Sequence, residues 1–420
     1  MNPMRLRLAC VLVVGLAGCQ APLASTLPST FAPPPATGTP IASASPSPSP
    51  STATAVPGGS LLVLRQPGEE GRHDLGVSVV SLAGGPTVDL GSASEATWAR
   101  DGQSVHLVKQ DVACVPSLVT VKPDGTGRSV VGKGLHGLDF DFAWSPDGRE
   151  VTFIRFRDGP PPKMCGSQGG TYQDLVEDLW VMNADGSGGR VLVPGIPING
   201  LHSVVWSPDS SRVAFLAPGK VAGPNGTPTS IAFIRVSDGK RIESGTSSVT
   251  EGATGLAWSP DGSRLAFSFN ADVAAGINHI AVIDSEPSSD AFTDLIVQDA
   301  SGMNLSVPLW SPDGKTIAAT QELVDANGVI TGAAIRLLDA TTPGAARDLG
   351  VTDVEVFARP TWSADGRWIA YVRQVQDENG SRPGSIVAFA IDGSDRHLLK
   401  EPTAGATSLA IDSIDWQPAP

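Results

Sequence analysis

The 420-residue chain carries 43 acidic against 29 basic residues, a formal net charge of −14. That balance excludes an unspecific nucleic-acid binder, which needs a basic face. Some 360 residues lie beyond the N-terminal sixty, too many for one undivided core, so small cores stacked as repeats are expected.

The chain opens on a targeting segment. Arg5 and Arg7 form a positive start, and Leu8 to Leu16 a short apolar run, too short to span a bilayer. The run ends in Leu16-Ala17-Gly18-Cys19, which resembles the lipobox of bacterial lipoproteins. The resemblance implies a signal peptide over 1–18 and acylation of Cys19. It further implies an exported protein anchored to the cell envelope, at the outer membrane in a two-membrane bacterium or otherwise on the outer face of the cell membrane. Cleavage takes the net charge to about −16, because Arg5 and Arg7 leave with no acid. Residues 19–59 are rich in Pro, Ser, Thr and Ala, and no charged residue occurs between Arg7 and Arg65. Such a composition buries no core and predicts a solvated spacer, reaching roughly 120 Å if extended at about 3.1 Å per residue.

From Ser60 one stretch recurs. Its copies begin at Trp98, Trp144, Trp206, Trp258, Trp310 and Trp362, and a truncated one ends at Trp416-Gln417-Pro418. The Trp-to-Trp steps are 46, 62, 52, 52, 52 and 54 residues, a period that signals repeat architecture. The cleanest copy reads Trp258-Ser259-Pro260-Asp261-Gly262 and then alternates apolar and polar, as in Leu265 and Phe267. Pro presets φ, Ser and Asp bond to nearby backbone, and Gly accepts positive φ, so Ser-Pro-Asp-Gly predicts a tight turn. Period-two alternation predicts a strand on either side. The Trp closes the first strand and suits a seam between two sheets, with one N–H to satisfy. Arg100 and Ala364 stand for Pro, and Ser210 for Gly; these turns are still expected to form.

A second strand pair follows each copy. Leu118–Val121, Leu179–Met182, Ile231–Ile234, Ile280–Ile283, Ile335–Leu338 and Ile386–Phe389 are apolar, and most precede an Asp-Gly turn. Four antiparallel strands, A to D, in a period near fifty predict a β-propeller blade. Residues 60–91 supply strands B to D of one more blade, and 409–418 its strand A. The expected fold is therefore an all-β, seven-bladed propeller over 60–420, closed by its N- and C-terminal strands, with six blades as the alternative. The repeated W-S-P-D-G-x-x-[IVL]-A-F pattern resembles the WD-like repeat of TolB-type propellers. That resemblance implies the fold and leaves the activity open, since the repeat serves binding proteins, peptidases and sugar-acid lyases alike.

Catalytic motifs are missing: there is no G-x-S-x-G, H-E-x-x-H, C-x-x-C or P-loop. The six His (73, 106, 136, 202, 279, 397) lack metal-ligand spacing, so neither metal nor cofactor is expected. The turn aspartates are explained by their own turns. Cys114 and Cys165 fall in B–C loops of adjacent blades, and an exported protein permits the disulfide this predicts. B–C loops vary in length on a constant frame, which marks their face as functional. Three residues before each Trp the repeats disagree: Glu95, Asp141, Ser203, Gly255, Val307, Arg359 and Ser413. With Asp139, His202, Asp412 and Asp415 nearby, Glu95, Asp141 and Arg359 make a polar channel mouth, the candidate ligand site. The first functional expectation is a non-catalytic scaffold binding a protein, peptide or glycan. The alternative is a propeller lyase or hydrolase with its site in the channel.

Overall fold

The computed structural model describes residues 58–65, 75–111, 115–132, 135–136, 139–157, 176–197, 202–218, 229–243, 254–272, 277–286, 292–296, 304–324, 330–349, 360–374, 384–400 and 411–418. Cys19, Cys114, Cys165 and Arg359 lie outside them. The chain begins with β1 (Ser60–Arg65), β2 (Leu75–Ser81) and β3 (Val88–Ala93). Next come β4 (Glu95–Trp98), β5 (Val105–Gln110), β6 (Pro116–Val121) and β7 (Ser129–Val130). Then follow β8 (Asp139–Trp144), β9 (Glu150–Phe156), β10 (Val176–Asn183) and β11 (Arg190–Pro197). After these come β12 (His202–Trp206), β13 (Arg212–Pro218), β14 (Thr229–Arg235) and β15 (Arg241–Glu243). The fifth set is β16 (Thr254–Trp258), β17 (Arg264–Asp272), β18 (Ile277–Asp284) and β19 (Thr293–Asp294). The sixth is β20 (Asn304–Trp310), β21 (Thr316–Val324), β22 (Ile330–Asp339) and β23 (Ala346–Leu349). The chain finishes with β24 (Thr361–Trp362), β25 (Trp368–Gln374), β26 (Gly384–Ala390), β27 (Arg396–Lys400) and β28 (Ile411–Trp416).

These make seven four-stranded antiparallel blades, and no helix occurs among the described residues. Blade 1 has the order β28-β1-β2-β3, so the last strand lies beside the first, with Leu61 opposite Trp416 and Val63 opposite Ile414. The ring therefore closes as the sequence predicts. Blades 2 to 7 take the six quartets in chain order. One parallel bridge, Asn278 to Asn304, joins blade 5 to blade 6. The first strand of every blade ends on its Trp.

Apolar side chains from facing sheets fill the seams. Between blades 4 and 5, Phe233, Phe267 and Leu265 pack around Trp258. Each such seam buries its own small core, the condition for a stack of repeats. The indole N–H groups tie the seams together. Trp206, Trp258, Trp310 and Trp362 donate from Nε1 to the carbonyls of Ala143, Val205, Ala257 and Leu309, at 2.9, 3.2, 3.0 and 3.1 Å. Each acceptor is the residue before the preceding blade's Trp. The ring closure uses the same bond, Trp98 Nε1 to the Asp415 carbonyl at 3.2 Å.

Trp144 departs from the pattern. Its indole N–H has no acceptor among the described residues. Its ring instead stacks on His106, with centroids 3.9 Å apart and planes 8° apart. Burial pushes the His106 imidazole down to about 4, against a smaller opposing effect from Asp101. The difference is measurable. Trp258→Phe removes the indole bond to the Val205 carbonyl, whereas Trp144→Phe removes no such bond, so the first is expected to cost about 1 kcal/mol more in chemical unfolding.

The turns form as expected, including the three that depart from Ser-Pro-Asp-Gly. Their closing bonds run from Gly102, Ser210 and Gly366 N–H to the carbonyls of Ala99, Ser207 and Ser363, each at 2.9 Å. Ser210 adopts φ 59°, the conformation Gly takes elsewhere. Ser259 Oγ donates to Asp261 Oδ1 at 2.6 Å, and the same oxygen accepts the Ser263 N–H at 3.0 Å. These bonds, led by that from Ser259, hold Asp261 at about 2. Each turn aspartate is thus engaged by its own turn.

Candidate functional site

The first strands form the innermost ring: β8 touches β12, β12 touches β16, β16 touches β20 and β24 touches β28. Apart from Arg359, which lies outside the described residues, the positions three before each Trp lie on these strands, and four of them, in β8, β12, β16 and β20, share a backbone feature. In β8 the pairing with β9 skips from Phe140 to Ala143, opposite Ile154 and Thr152. Two residues, Asp141 and Phe142, therefore face one, Phe153, which is a β-bulge. The same skip occurs at His202/Val205, Thr254/Ala257 and Ser306/Leu309. The first bulged residue takes positive φ in three of them: 57° at Asp141, 59° at Gly255 and 34° at Val307. Gly suits that conformation and Asp tolerates it, but a β-branched Val is strained there.

At Gly255 the space is also closed, since an added Cβ would lie 2.9 Å from the Val307 Cα. Gly255→Ala is therefore expected to destabilise by about 1–3 kcal/mol, read as a lower denaturation midpoint at unchanged slope.

The bulge has a chemical consequence in blade 3. It releases the Phe142 N–H from the ladder, and that N–H donates to the carboxyl of Glu95 on β4. Glu95 itself sits in regular pairing opposite Val108. Burial, and then the negative charge of Asp141, push the Glu95 carboxyl up to about 8, with the Phe142 bond opposing. Two carboxyl groups chosen from the sequence on separate blades are thus brought together electrostatically. At neutral pH Glu95 holds its proton beside the Asp141 charge.

The other sequence-chosen residues are placed differently. Asp139 is buried, and Arg155 grips it with two bonds, Nε to Oδ1 at 2.6 Å and Nη2 to Oδ2 at 2.7 Å. Oδ2 also accepts the His136 N–H at 2.7 Å. Asp415 lies at the closure, where Thr361 Oγ1 stands 3.5 Å from its Oδ1. Burial pushes its carboxyl up to about 6, against smaller effects from Trp98, Thr361 and Trp416. His202 and Asp412 lie on β12 and β28, but their side chains fall outside the described residues, as does all of Arg359.

Arg155 was not among the sequence candidates. Its guanidinium lies over Trp180, 4.6 Å from the ring centroid, and over Phe153 at 5.1 Å. A neighbouring pair, Arg157 Nη2 to Asp178 Oδ1 at 2.6 Å, holds β9 to β10. On the opposite face a cleft of about 360 Å³ opens at the closure, with Asp101, Asp365 and Trp416 in its wall. Both carboxylates there are engaged within their turns, by the Gln103 N–H at 2.9 Å and by Ser363 Oγ at 2.6 Å.

No family model matches the chain, and no curated protein matches it. Solved structures do. An oligogalacturonate lyase in complex with manganese superposes with a TM-score of 0.54 at 15% identity, over 75% of this chain and 83% of that one. The acylaminoacyl peptidase of Pyrococcus horikoshii gives 0.56 at 12% identity, over 81% of this chain and 50% of that one, so the chain spans about half its length. A TolB described as putative, from Agrobacterium tumefaciens, gives 0.41 at 14% identity, over 83% and 90%. Among the described residues no three His, Cys, Asp or Glu side chains gather to hold an ion, so manganese finds no ligand set in them. At such identities the likeness is of fold. The propellers sharing it are nonetheless a lyase and a peptidase, which corrects the expectation of a scaffold without chemistry.

Proposed function

We propose that this propeller is a glycan-cleaving enzyme, a lyase or hydrolase, working at the mouth of its channel with Glu95 as proton donor and Asp141 as base. The observation that carries the proposal is a buried carboxyl beside a charged one: Glu95 accepts the Phe142 N–H next to Asp141 and is lifted to about 8 by burial and by the charge of Asp141. Paired groups whose environments push their acidities apart are how one site runs acid and base chemistry at a single pH. In elimination, Asp141 removes the proton next to the sugar carboxyl, electrons form the ring double bond, and Glu95 protonates the departing glycosidic oxygen. In hydrolysis, Asp141 takes a proton from the attacking water and Glu95 plays the same part. Either cycle leaves Asp141 protonated and Glu95 charged, and exchange with water restores both.

A lyase acting on oligogalacturonate shares the fold over most of its length, which supports glycans as the first substrates to try. The TolB-type affiliation of the repeat, and a Cys19 anchor holding the enzyme at the envelope, complete the proposal. The test is incubation with acidic and neutral oligosaccharides. Elimination yields an unsaturated product that absorbs in the ultraviolet; hydrolysis yields reducing ends without that absorbance. Cleavage that is lost in both Glu95→Gln and Asp141→Asn supports the assignment, and cleavage undiminished in Glu95→Gln overturns it.

A further inference from the structure

The buried Asp139–Arg155 pair stands two residues from Asp141, and no step above uses it. The two residues face each other across the β8–β9 ladder, separated from the bulge by the Phe140–Ile154 pair. Asp139 is 3% exposed, and its two oxygens accept three hydrogen bonds, from Arg155 twice and from the His136 N–H. Arg155 is fixed in turn by the faces of Trp180 and Phe153. Phe153 is the residue opposite the bulge. Past the bulge, Ala143 and Trp144 resume regular pairing with Thr152 and Val151. Asp141 is thus held in positive φ between a pinned residue on one side and a regular ladder on the other. A strained backbone of this kind persists only where its surroundings over-determine it.

We propose that the Asp139–Arg155 pair is a positioning device that holds the Asp141 carboxylate and the Phe142 N–H against Glu95. The inference rests on the acid–base role assigned to Glu95 and Asp141. A buried bidentate pair fixes geometry more than it adds stability, which suits it to this task. Neither Asp139 nor Arg155 needs to touch substrate.

The test uses the double variant Asp139→Asn, Arg155→Gln in the full chain. It removes both charges together, so no buried charge is left alone, and the amides keep similar size. Arg155→Lys, which keeps the charge and loses the fork, is the conservative comparison. The readouts are the titration midpoint of Glu95, followed by isotope-edited NMR, and the kcat and KM for any cleaved glycan. Of the two contacts on Glu95, Asp141 pushes its pKa up more than the Phe142 N–H pulls it down. Releasing both should therefore move the midpoint of a folded double variant down from about 8. The kcat should fall on the order of tenfold to a hundredfold with KM little changed, the expected result of a small misplacement, and Arg155→Lys should lie between. An unchanged midpoint and an unchanged kcat in the folded double variant overturn the positioning role. Loss of activity in Glu95→Gln alongside that result would leave the acid–base assignment standing, so the two failures are distinguishable.

Discussion

Replacing Trp416 with Ala lowers the unfolding free energy by about 3–5 kcal/mol, the loss expected for emptying a large buried aromatic site. Trp416 is 4% exposed and packs with Leu61, Val63, Trp368 and Ile386. Its strand is the only one in blade 1 that comes from the far end of the chain, and it holds three blades at once. The Trp416 N–H donates to Thr361 Oγ1 of blade 7 at 3.0 Å. The Gln417 N–H returns to the Ser60 carbonyl of blade 1 at 2.9 Å. Gln417 Nε2 reaches the Gly102 carbonyl of blade 2 at 2.8 Å, and the Asp415 carbonyl takes the Trp98 indole. Without that strand, β1 becomes an open edge beside a run of buried Leu and Val, a template for pairing between molecules. Truncation before Ile411 should therefore aggregate as well as destabilise. Val130 on β7, by contrast, is 61% exposed, and its replacement by Ala should change little. Equilibrium unfolding followed by circular dichroism checks both. A Trp416→Ala variant within about 1 kcal/mol of wild type would show that closure does not depend on this residue.

Glu95→Gln has two effects of opposite sign. Cleavage should fall by about 10²–10⁴, the usual contribution of a positioned general acid. Stability should rise at neutral and alkaline pH. The folded carboxyl holds its proton up to about 8, against 4.5 for an ordinary Glu. Its stability contribution is fully present below about 4.5 and lost as pH rises toward 8, because the unfolded chain releases the proton first. Gln does not titrate, so the variant gains on wild type across that window. Allowing for the part of Glu95 that stays exposed to water, the gain is about 1–3 kcal/mol at pH 8. Wild-type kcat/KM should fall as pH rises through about 8, where Glu95 loses the proton it donates. Denaturation midpoints of both proteins at pH 5 and pH 8 provide the check. A gap that does not widen with pH would mean that Glu95 titrates normally. A group that costs stability while serving chemistry is the expected signature of a functional site.

The frame was legible because its signals are local. The Ser-Pro-Asp-Gly turn and period-two alternation fix each strand pair within about ten residues, and Trp spacing then counts the blades. Even the closure could be read, since Trp416 arrives alone and residues 60–91 lack a first strand. The site was legible only in part. Glu95 and Asp141 stand out because the repeats disagree three residues before each Trp. The bulge at that position has no residue signature, since Asp141, Gly255 and Val307 share none; positive φ is imposed there by the ladder on either side. Nor does spacing reveal that the bulge hands the Phe142 N–H to Glu95, which needs two blades side by side. Arg155 was within reach: it lies as far past the turn as its cross-strand partner Asp139 lies before it, allowing for one bulged residue, and opposite charges at such positions attract. The indole partners were foreseen as a seam but not as a carbonyl one residue before the neighbouring Trp.

The most direct test is titration of the Glu95 carboxyl in the full chain labelled with carbon-13 glutamate, with Glu95→Gln identifying its signal. A midpoint near 8 that falls in Asp141→Asn is the predicted result, because it requires both burial and the neighbouring charge. A midpoint near 4.5, unmoved in Asp141→Asn, would contradict the acid–base pair.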